Sequence, residues 1–571
     1  MSDMYLFRPL VLAAAVAVAS TMSACSKAPD IPVAGRAQVD AASEPAAPPV
    51  ASASSAGTRS AGTHDDGIAW QKQASESDID AAFARARAEN KPLFLYWGAI
   101  WCPPCNQVKA TIFNRQDFIE RSRFFIPVYL DGDTRSAQKL GARFKVGGYP
   151  TMILFKPDGS EITRLPGEVD AERYMNMLAM GMNGARPVRE TLAAALYETA
   201  SGRGSKAGTP AALSSDDWRM LAWYSWGTDE GMLVPETALP ATLARLARAC
   251  PPDQAEAATR LRLQSLAAAA GEKGAKPQAD ELAVRDLMRV IDDDTLARTD
   301  FDVLTNDAGD IAGHVTLPGT QQRRDLVSAW DARLRRFSDD ASLSTADRFG
   351  ALVGRIELAR VGDNKAPLPP DLLERVRKDA AQADRDTTDV YARQAVISAA
   401  AYALEKAGLD RESDRLLEAE LKRSHSPYYY MLSLAQNAKK RGDKAAALDW
   451  AQKAYTAADS GPATRLQWGS SYVGMLIDLA PEDSARIEQA ARGVIGELEP
   501  EPETFYDRNR RRLERIGRDL AKWNADGRHT AQVRAVRAAL DEVCAKLPPD
   551  DAARATCKSV LDARPNAKSE A

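Results

Sequence analysis

Hydrophobic positions in the first third of the chain alternate between helical spacing and the uninterrupted apolar runs typical of buried strands. DIDAAFARARAEN has apolar residues at helical spacing behind Asp78, which we predict to cap the helix, and KPLFLYWG is an apolar run of strand length. The pattern predicts a helix at 78–90, strands at 91–98 and 124–132, a helix at 134–146, a hairpin at 151–155 and 161–165, and a helix at 171–182.

From about residue 185 onward the chain has almost no strand pattern. Apolar residues recur at three-to-four spacing within segments bounded by Gly, Pro, Asp and Ser, which is typical of successive antiparallel helices. The segments are 215–227, 239–249, 254–270, 279–297, 321–337, 344–361, 370–383, 387–407, 485–498 and 510–523. The sequence therefore predicts an α/β domain followed by a large all-α region.

Two turns indicate an internal repeat between about residues 390 and 500. Gly408-Leu409-Asp410 and, 34 residues later, Gly442-Asp443 each separate two helical segments, and small residues such as Ala447 and Ala451 would allow close helix contact. The period resembles that of tetratricopeptide repeats. This resemblance implies either a concave face for a peptide or protein ligand or helices that only pack and space.

Composition and charge exclude several functions. With 571 residues, 45% hydrophobic and 27% charged, the chain is a soluble, multidomain type rather than a polytopic membrane protein or a disordered one. Lys and Arg total 75 against 79 Asp and Glu, for a net charge of −4. That balance gives no general field for phosphate backbones, so nucleic acid is not an expected partner.

The N-terminal residues carry an export pattern. Residues 10–19, LVLAAAVAVA, form an apolar run behind Arg8 that is too short to span a bilayer. Small residues before Cys25 resemble the lipobox of bacterial lipoproteins, which implies a lipid anchor on Cys25 as the one membrane contact. Ser26 after it implies an outer-membrane location facing the periplasm. A cleaved secretory signal with an incidental cysteine is the alternative.

The segment AIWCPPCNQVKATIF places two cysteines, Cys102 and Cys105, between a predicted strand and a predicted helix. The first sulfur would then lie at a helix N-terminus, where the helix dipole and free backbone N–H groups lower the pKa of a thiol. A lone CxxC can also be an inert disulfide or a metal knuckle. Zinc would need a second ligand pair, and no such pair is near in the sequence, so we expect no metal.

Trp101-Cys102-Pro103-Pro104-Cys105 resembles the active-site motif of the thioredoxin superfamily. Gly147-Gly148-Tyr149-Pro150-Thr151 stands where that family has a cis-proline loop facing the cysteines. The residues after the motif are also similar to the periplasmic thioredoxin-like domains of membrane thiol:disulfide interchange proteins. The resemblance covers about residues 68–183.

The resemblance implies a dithiol mechanism. Cys102 would attack a substrate disulfide and Cys105 would resolve the mixed disulfide. Pro150 in cis, with Tyr149, Thr151 and Trp101, would bind the substrate chain as an added strand. Tyr96 stands where many thioredoxins carry a buried carboxylate that accepts the proton of the resolving thiol, so here that proton needs another acceptor.

The remaining cysteines are predicted to be structural. Cys544 and Cys557 flank the turn KLPPDD, so in an oxidising compartment we expect them to form a disulfide. Cys250 is left over and is interpreted as a buried thiol, with an intermolecular bond as the alternative.

Two other clusters have a structural and a binding interpretation. We expect a solvated helix face rather than an anionic docking patch for Arg508, Arg510, Arg511, Arg512 and Arg515. Trp218, Trp223 and Trp226 are expected in the core rather than in a ligand platform.

The predicted organisation is a signal peptide (1–24), a tether rich in Ala, Ser and Pro (25–66), a thioredoxin-like domain (67–184), a helical region (185–389), repeats (390–500) and C-terminal helices (501–571). No phosphate-binding loop or dinucleotide fingerprint is present, so no cofactor is expected and another protein must recharge the dithiol.

The leading hypothesis is an exported, membrane-anchored thiol:disulfide oxidoreductase of protein disulfides. We expect it to act as a reductase fed by a membrane thiol:disulfide electron donor. Oxidase or isomerase action is the rival within that class. A helical-repeat adaptor of the cell envelope with a subordinate redox domain is the rival from another class.

Overall fold

The computed structural model describes residues 67–562 except 73–74, 168–169, 202–212, 230 and 460. The apolar run, Cys25 and the predicted tether lie outside the described residues. Within the described part of the chain, no helix combines the length and the hydropathy needed to cross a bilayer.

Five strands form one mixed sheet in the order β1-β3-β2-β4-β5. The strands are β1 (Gln71–Lys72), β2 (Leu93–Gly98), β3 (Ile126–Asp131), β4 (Thr151–Phe155) and β5 (Glu161–Leu165). The central strand β2 pairs in parallel with β3 and antiparallel with β4. Every residue of β2 is buried, which explains why its sequence is apolar throughout instead of alternating. The two-residue β1 is too short to leave a pattern in the sequence.

Five helices surround this sheet: α1 (Glu76–Glu89), α2 (Pro103–Val108), α3 (Gln116–Arg121), α4 (Arg135–Phe144) and α5 (Ala171–Met182). The prediction that Asp78 caps α1 is wrong. Ser75 is the N-cap, and its side-chain oxygen accepts a hydrogen bond from the backbone N–H of Asp78. Serine satisfies a free N–H of the first turn in this way, and Asp78 instead lies inside that turn.

Successive side chains of β2 enter two different hydrophobic cores, because side chains alternate across a strand. Phe94 and Tyr96 pack with α5 on one face, and Leu93, Leu95 and Trp97 pack with α1 and α4 on the other. Both faces of the sheet are therefore covered.

The rest of the described chain is helical, which confirms the predicted fold class of an α/β domain followed by a large all-α region. The helices are α6 (Val188–Ser201), α7 (Ser215–Ala222), α8 (Leu239–Ala249), α9 (Ala255–Ala270), α10 (Glu281–Asp292), α11 (Asp294–Thr299), α12 (Phe301–Asn306), α13 (Ala308–Val315), α14 (Gln321–Asp339), α15 (Thr345–Ala359), α16 (Pro370–Asp386), α17 (Val390–Lys406), α18 (Asp410–Glu420), α19 (Pro427–Lys440), α20 (Lys444–Ala457), α21 (Pro462–Leu479), α22 (Ser484–Gly496), α23 (Asp507–Trp523), α24 (Thr530–Ala545) and α25 (Ala552–Ser559).

Two predicted helical segments are interrupted. The segment 279–297 divides at Asp293, whose side chain accepts hydrogen bonds from the backbone N–H groups of Thr295 and Leu296 and so starts α11. The segment 215–227 ends as a helix at Ala222, and a 3₁₀ turn follows at Trp226–Thr228. Neighbouring helices such as α19 and α20 pack on each other, so successive elements are neighbours in space.

One hydrophobic core joins the sheet to the first helices that follow it. Leu154 and Leu178 of the α/β domain belong to the same buried cluster as Trp218 and Leu221 of α7 and Leu243 of α8. Trp223 and Trp226 are buried in this cluster too, as the sequence predicts. The α/β domain therefore shares its core with α6–α9.

A disulfide joins Cys544 of α24 to Cys557 of α25, with the Cα atoms 5.7 Å apart. Both residues are fully buried in the core of the C-terminal helices. Cys250 is a free, half-buried thiol that lies 3.5 Å from the carbonyl oxygen of Gln254.

We expect the double substitution Cys544→Ala with Cys557→Ala to lower the free energy of unfolding of the C-terminal helices by about 3 kcal/mol, because the disulfide restricts the unfolded chain. Urea unfolding with and without a reductant measures this, and Cys250→Ala is the matched control. Equal midpoints for the double variant and the control would contradict the stabilising role.

Candidate functional site

The turn from β2 into α2 places Cys102 at the N-cap of α2. Its backbone is extended, with φ of −76° and ψ of 115°, and its Sγ accepts a hydrogen bond from the backbone N–H of Cys105 at 3.3 Å. Pro103 and Pro104 occupy the first helical positions, where the missing N–H of proline costs no hydrogen bond. The sequence thus folds so that a backbone donor and the positive helix end face the first sulfur.

Cys105 lies one turn into α2 and is fully buried. Tyr96 of β2 lies next to Cys105 and takes the position where many thioredoxins carry a buried carboxylate. Burial raises the pKa of Tyr96 well above its ordinary value, so the phenol stays protonated at neutral pH. Its hydroxyl fills the space beside Gly98, where a Cβ atom would come within 2.5 Å of it. Tyr96 is therefore a neutral neighbour of the pair, not a base.

The loop before β4 contains a cis peptide bond between Tyr149 and Pro150. Thr151 of β4 pairs with Trp97 of β2, so this loop lies at the same end of the strands as the turn to Cys102. The Tyr149 hydroxyl donates to the carbonyl oxygen of Gly132 at 3.0 Å. The Thr151 hydroxyl donates to the carbonyl oxygen of Gly148 at 2.9 Å.

Trp101 is buried beside Cys102 and is held from the α/β side by Asp133. The indole Nε1–H donates to Oδ2 of Asp133 at 2.8 Å. Burial, with a further contribution from Asp131, raises the pKa of Asp133 to about 7, although the Arg508 guanidinium opposes the shift. A carboxyl group with a pKa near neutrality therefore contacts the tryptophan next to the cysteine pair.

Helices from the second half of the chain contact the same face. Gln394 of α17 donates through Nε2 to the carbonyl oxygen of Trp101 at 3.0 Å. His425, just before α19, places Nε2 at 3.1 Å from the carbonyl oxygen of Ile100. The peptide that leads into Cys102 is thus bound on its carbonyl side by two helical-region side chains.

Aromatic rings of the helical region pack on Trp101. Tyr429 of α19 stacks on it with ring centroids 6.2 Å apart, and Trp468 of α21 meets it edge to face at 5.0 Å. Arg508 of α23 lies over Trp101 at 5.1 Å and over Tyr149 at 4.7 Å from the ring centroids. Its Nη1 donates to the Tyr149 hydroxyl at 2.8 Å.

The expectation of a solvated face is wrong for Arg508, whose side chain is 11% exposed. The helix pattern shows only neighbours within α23 and cannot show that Trp101 and Tyr149 pack against it. Arg510, with its side chain 43% exposed and near Glu514, does lie on a solvated face. Gln394, His425, Tyr429 and Trp468 were missed as site residues because no local motif marks them.

These contacts leave Cys102 only 3% exposed. Burial and the neighbouring Cys105 thiol raise the pKa of the Cys102 thiol well above its usual range. They outweigh the backbone N–H donor of Cys105 and the charge of Lys109. The site therefore holds two adjacent thiols, a cis-proline loop and a tryptophan wall, with the first thiol covered.

Comparison with known proteins agrees with the fold of the α/β domain. Residues 79–181 match the thioredoxin-like domain family. Thioredoxin of Mycobacterium bovis is 34% identical over 98 residues, which are 17% of this chain and 80% of that protein. The chain belongs to the thioredoxin family.

Other relatives are larger than thioredoxin, and the match covers only a small part of each. The thiol:disulfide interchange protein DsbD of Pseudomonas fluorescens is 32% identical over 105 residues, 18% of each chain. DsbD of Ralstonia nicotianae is 30% identical over 137 residues, 22% of each chain. The chain spans about a fifth of the length of these DsbD relatives.

The raised pKa of Asp133 makes stability depend on pH with a defined sign. The folded value of about 7 exceeds the ordinary 3.8, so the stability is full below pH 4 and is lost as pH rises through 7. Asp133→Asn has no charge to bury. We therefore expect its free energy of unfolding, relative to that of the wild type, to increase by about 3 kcal/mol from pH 5 to pH 8. Urea unfolding at both pH values measures the difference, and parallel pH dependence of the two proteins would contradict it.

Proposed function

We propose that the protein is an exported, membrane-anchored thiol:disulfide oxidoreductase that acts on protein disulfides, with Cys102 as nucleophile and Cys105 as resolving thiol. The observation that carries the proposal is the N-cap position of Cys102, whose sulfur accepts the backbone N–H of Cys105. A sulfur with such a donor at a helix N-terminus is stabilised as a thiolate once it is exposed to solvent.

The reaction conserves two electrons and two protons. The Cys102 thiolate attacks one sulfur of a substrate disulfide, which forms a mixed disulfide and releases the other sulfur as a thiolate. Cys105 then attacks Cys102, forms the Cys102–Cys105 disulfide and releases the second substrate sulfur. The substrate gains the two protons that the dithiol loses.

The residues around the pair would position the substrate. Backbone groups next to Pro150, flanked by Tyr149 and Thr151, would pair with an extended substrate chain, and Trp101 would form a wall beside the reacting sulfurs. Tyr96 is protonated, so the proton of Cys105 would pass to water or to a more distant group.

Export and anchoring rest on two observations. The apolar run before Cys25 has the length of an export signal, and the Cys544–Cys557 disulfide fits an oxidising compartment. We propose that Cys25 is lipidated and holds the protein at the periplasmic side, in the outer membrane. Membrane fractionation of the wild type and of Cys25→Ala tests this, since only the variant should become soluble.

The proposed direction of the reaction is supported by two observations. The matched segment is similar to thiol:disulfide interchange proteins, and no cofactor motif that could supply electrons occurs in the chain. We propose that the protein works as a reductase and that a membrane dithiol protein recharges it. The helical region, which reaches the site, would then take part in selecting clients.

We expect Cys105→Ala to accumulate mixed disulfides between Cys102 and client proteins, because the resolving attack is removed. Affinity purification from cells treated with acid and a thiol blocker, followed by non-reducing electrophoresis and mass spectrometry, measures the adducts. The matched control is Cys102→Ala with Cys105→Ala, which should trap nothing.

The same experiment separates the adaptor function from the redox function. An adaptor would bind the same partners in the wild type and in the double variant without thiol linkage. Truncation would not be a fair test, because the core shared by the sheet and α7 would be exposed. Absence of any adduct from Cys105→Ala would contradict the oxidoreductase proposal.

A further inference from the structure

The helical region covers the redox face with residues that are far from it in sequence. Gln394, His425, Tyr429, Trp468 and Arg508 come from α17 to α23 and contact Ile100, Trp101 or Tyr149. We call these five residues the cover. Each contact falls on a residue close to Cys102 or on the residue before Pro150.

The cover leaves no route for a protein disulfide to the first sulfur. Cys102 is 3% and Trp101 4% exposed, whereas attack on a disulfide requires in-line contact between two sulfur atoms. Burial raises the pKa of the Tyr429 phenol, and the nearby Cys102 sulfur adds to this effect, which places Tyr429 close to Cys102. The cover therefore occupies the volume that a client chain would need.

The contacts of the cover differ in kind from those that bind the sheet to α6–α9. Leu154 and Trp218 share one apolar core, as described above. The cover is held by hydrogen bonds to backbone carbonyls, by a guanidinium and by two aromatic rings that pack on Trp101. The polar contacts can exchange with water, so they separate at a lower free-energy cost than an apolar core.

Two buried polar atoms in this contact have no hydrogen bond within the described part of the chain. They are Nδ1 of His425 and Oδ1 of Asn509. Unpaired buried polar atoms raise the free energy of the closed arrangement and are relieved when the surfaces meet water. These unpaired atoms therefore favour separation of the two surfaces.

We propose that helices α17–α23 form a releasable cover that withholds Cys102 from protein disulfides and must move aside for a client to react. This inference rests on the proposed function, because it assigns the regulation of the same thiol pair. In the closed form the cover excludes other disulfides from the dithiol. A client gains access by competing with the cover for the face of Trp101 and the loop at Tyr149.

Alkylation of Cys102 in the full-length reduced protein tests the cover directly. Iodoacetamide forms a sulfur–carbon bond with the thiolate and releases iodide, and mass spectrometry of the Cys102 peptide gives the rate. We expect the folded wild type to react at least about tenfold more slowly than the chain in urea, because the thiol is buried and protonated. We expect Tyr429→Ala and Arg508→Ala to react about tenfold faster than the wild type, since each loses a ring or cation contact.

Matched variants control for general destabilisation. Arg510→Ala removes an arginine from the exposed face of α23 and should leave the rate unchanged, whereas Tyr429→Phe keeps the ring and should remain slow. Circular dichroism shows whether each variant is folded. A wild type that labels as fast as the unfolded chain, or folded Tyr429→Ala and Arg508→Ala variants that label no faster than the wild type, would overturn the cover.

A second measurement needs no substitution. N-ethylmaleimide and a maleimide carried on a large polyethylene glycol are compared at Cys102 in the wild type. The cover predicts that the ratio of small to large reagent rates is much greater in the folded protein than in urea, and equal ratios would contradict it. Neither labelling test uses a redox partner, so slow labelling without trapped adducts would retain the cover and reject the oxidoreductase function.

Discussion

Trp101 connects the redox pair to the rest of the molecule. Its indole N–H is bound by Asp133, its carbonyl accepts from Gln394, and its ring meets Trp468 and Arg508. Because Cys102 follows it directly, the position of this one ring sets both the wall of the site and the exposure of the first sulfur. The later helices therefore contact the residue next to the thiol directly.

Two opposing effects act on the Cys102 thiol. The N-cap position and the N–H of Cys105 favour the thiolate, but a helix terminus contributes only about 0.3–1 kcal/mol at an ordinary site. Removal from water disfavours the charged form by a larger amount, and burial is the main cause of the raised pKa here. Burial therefore keeps the Cys102 thiol protonated in the arrangement that the structure shows.

Much of the fold could be predicted from local patterns. The strands at 151–155 and 161–165 and the helix at 171–182 have the predicted bounds, because apolar runs and turn residues delimit them. The predicted start of α1 was wrong because Ser75 and Asp78 stand three residues apart and both residue types are good N-caps. The position of Cys102 at the start of a helix could also be predicted, because the two cysteines follow an apolar strand pattern and precede a helical one.

The cover could not be predicted, because its contacts join residues hundreds of positions apart. The hydrogen bond from Arg508 to Tyr149 spans 359 positions, and the one from Gln394 to Trp101 spans 293. Spacing within α23 gives Arg508 the same appearance as Arg510, although one is buried on aromatic rings and the other faces solvent. Only the packing of the helices on the sheet distinguishes the two.

The reduction potential of the Cys102–Cys105 pair decides whether the pair can act as a reductase. The full-length protein is equilibrated with glutathione redox buffers, and the disulfide fraction is read by mass spectrometry after acid quenching. We expect a single two-electron transition at or below the glutathione range of about −220 to −260 mV, as a reductase requires. A pair that never forms a disulfide, or one with a potential near that of a strong oxidant at about −120 mV, would contradict this expectation.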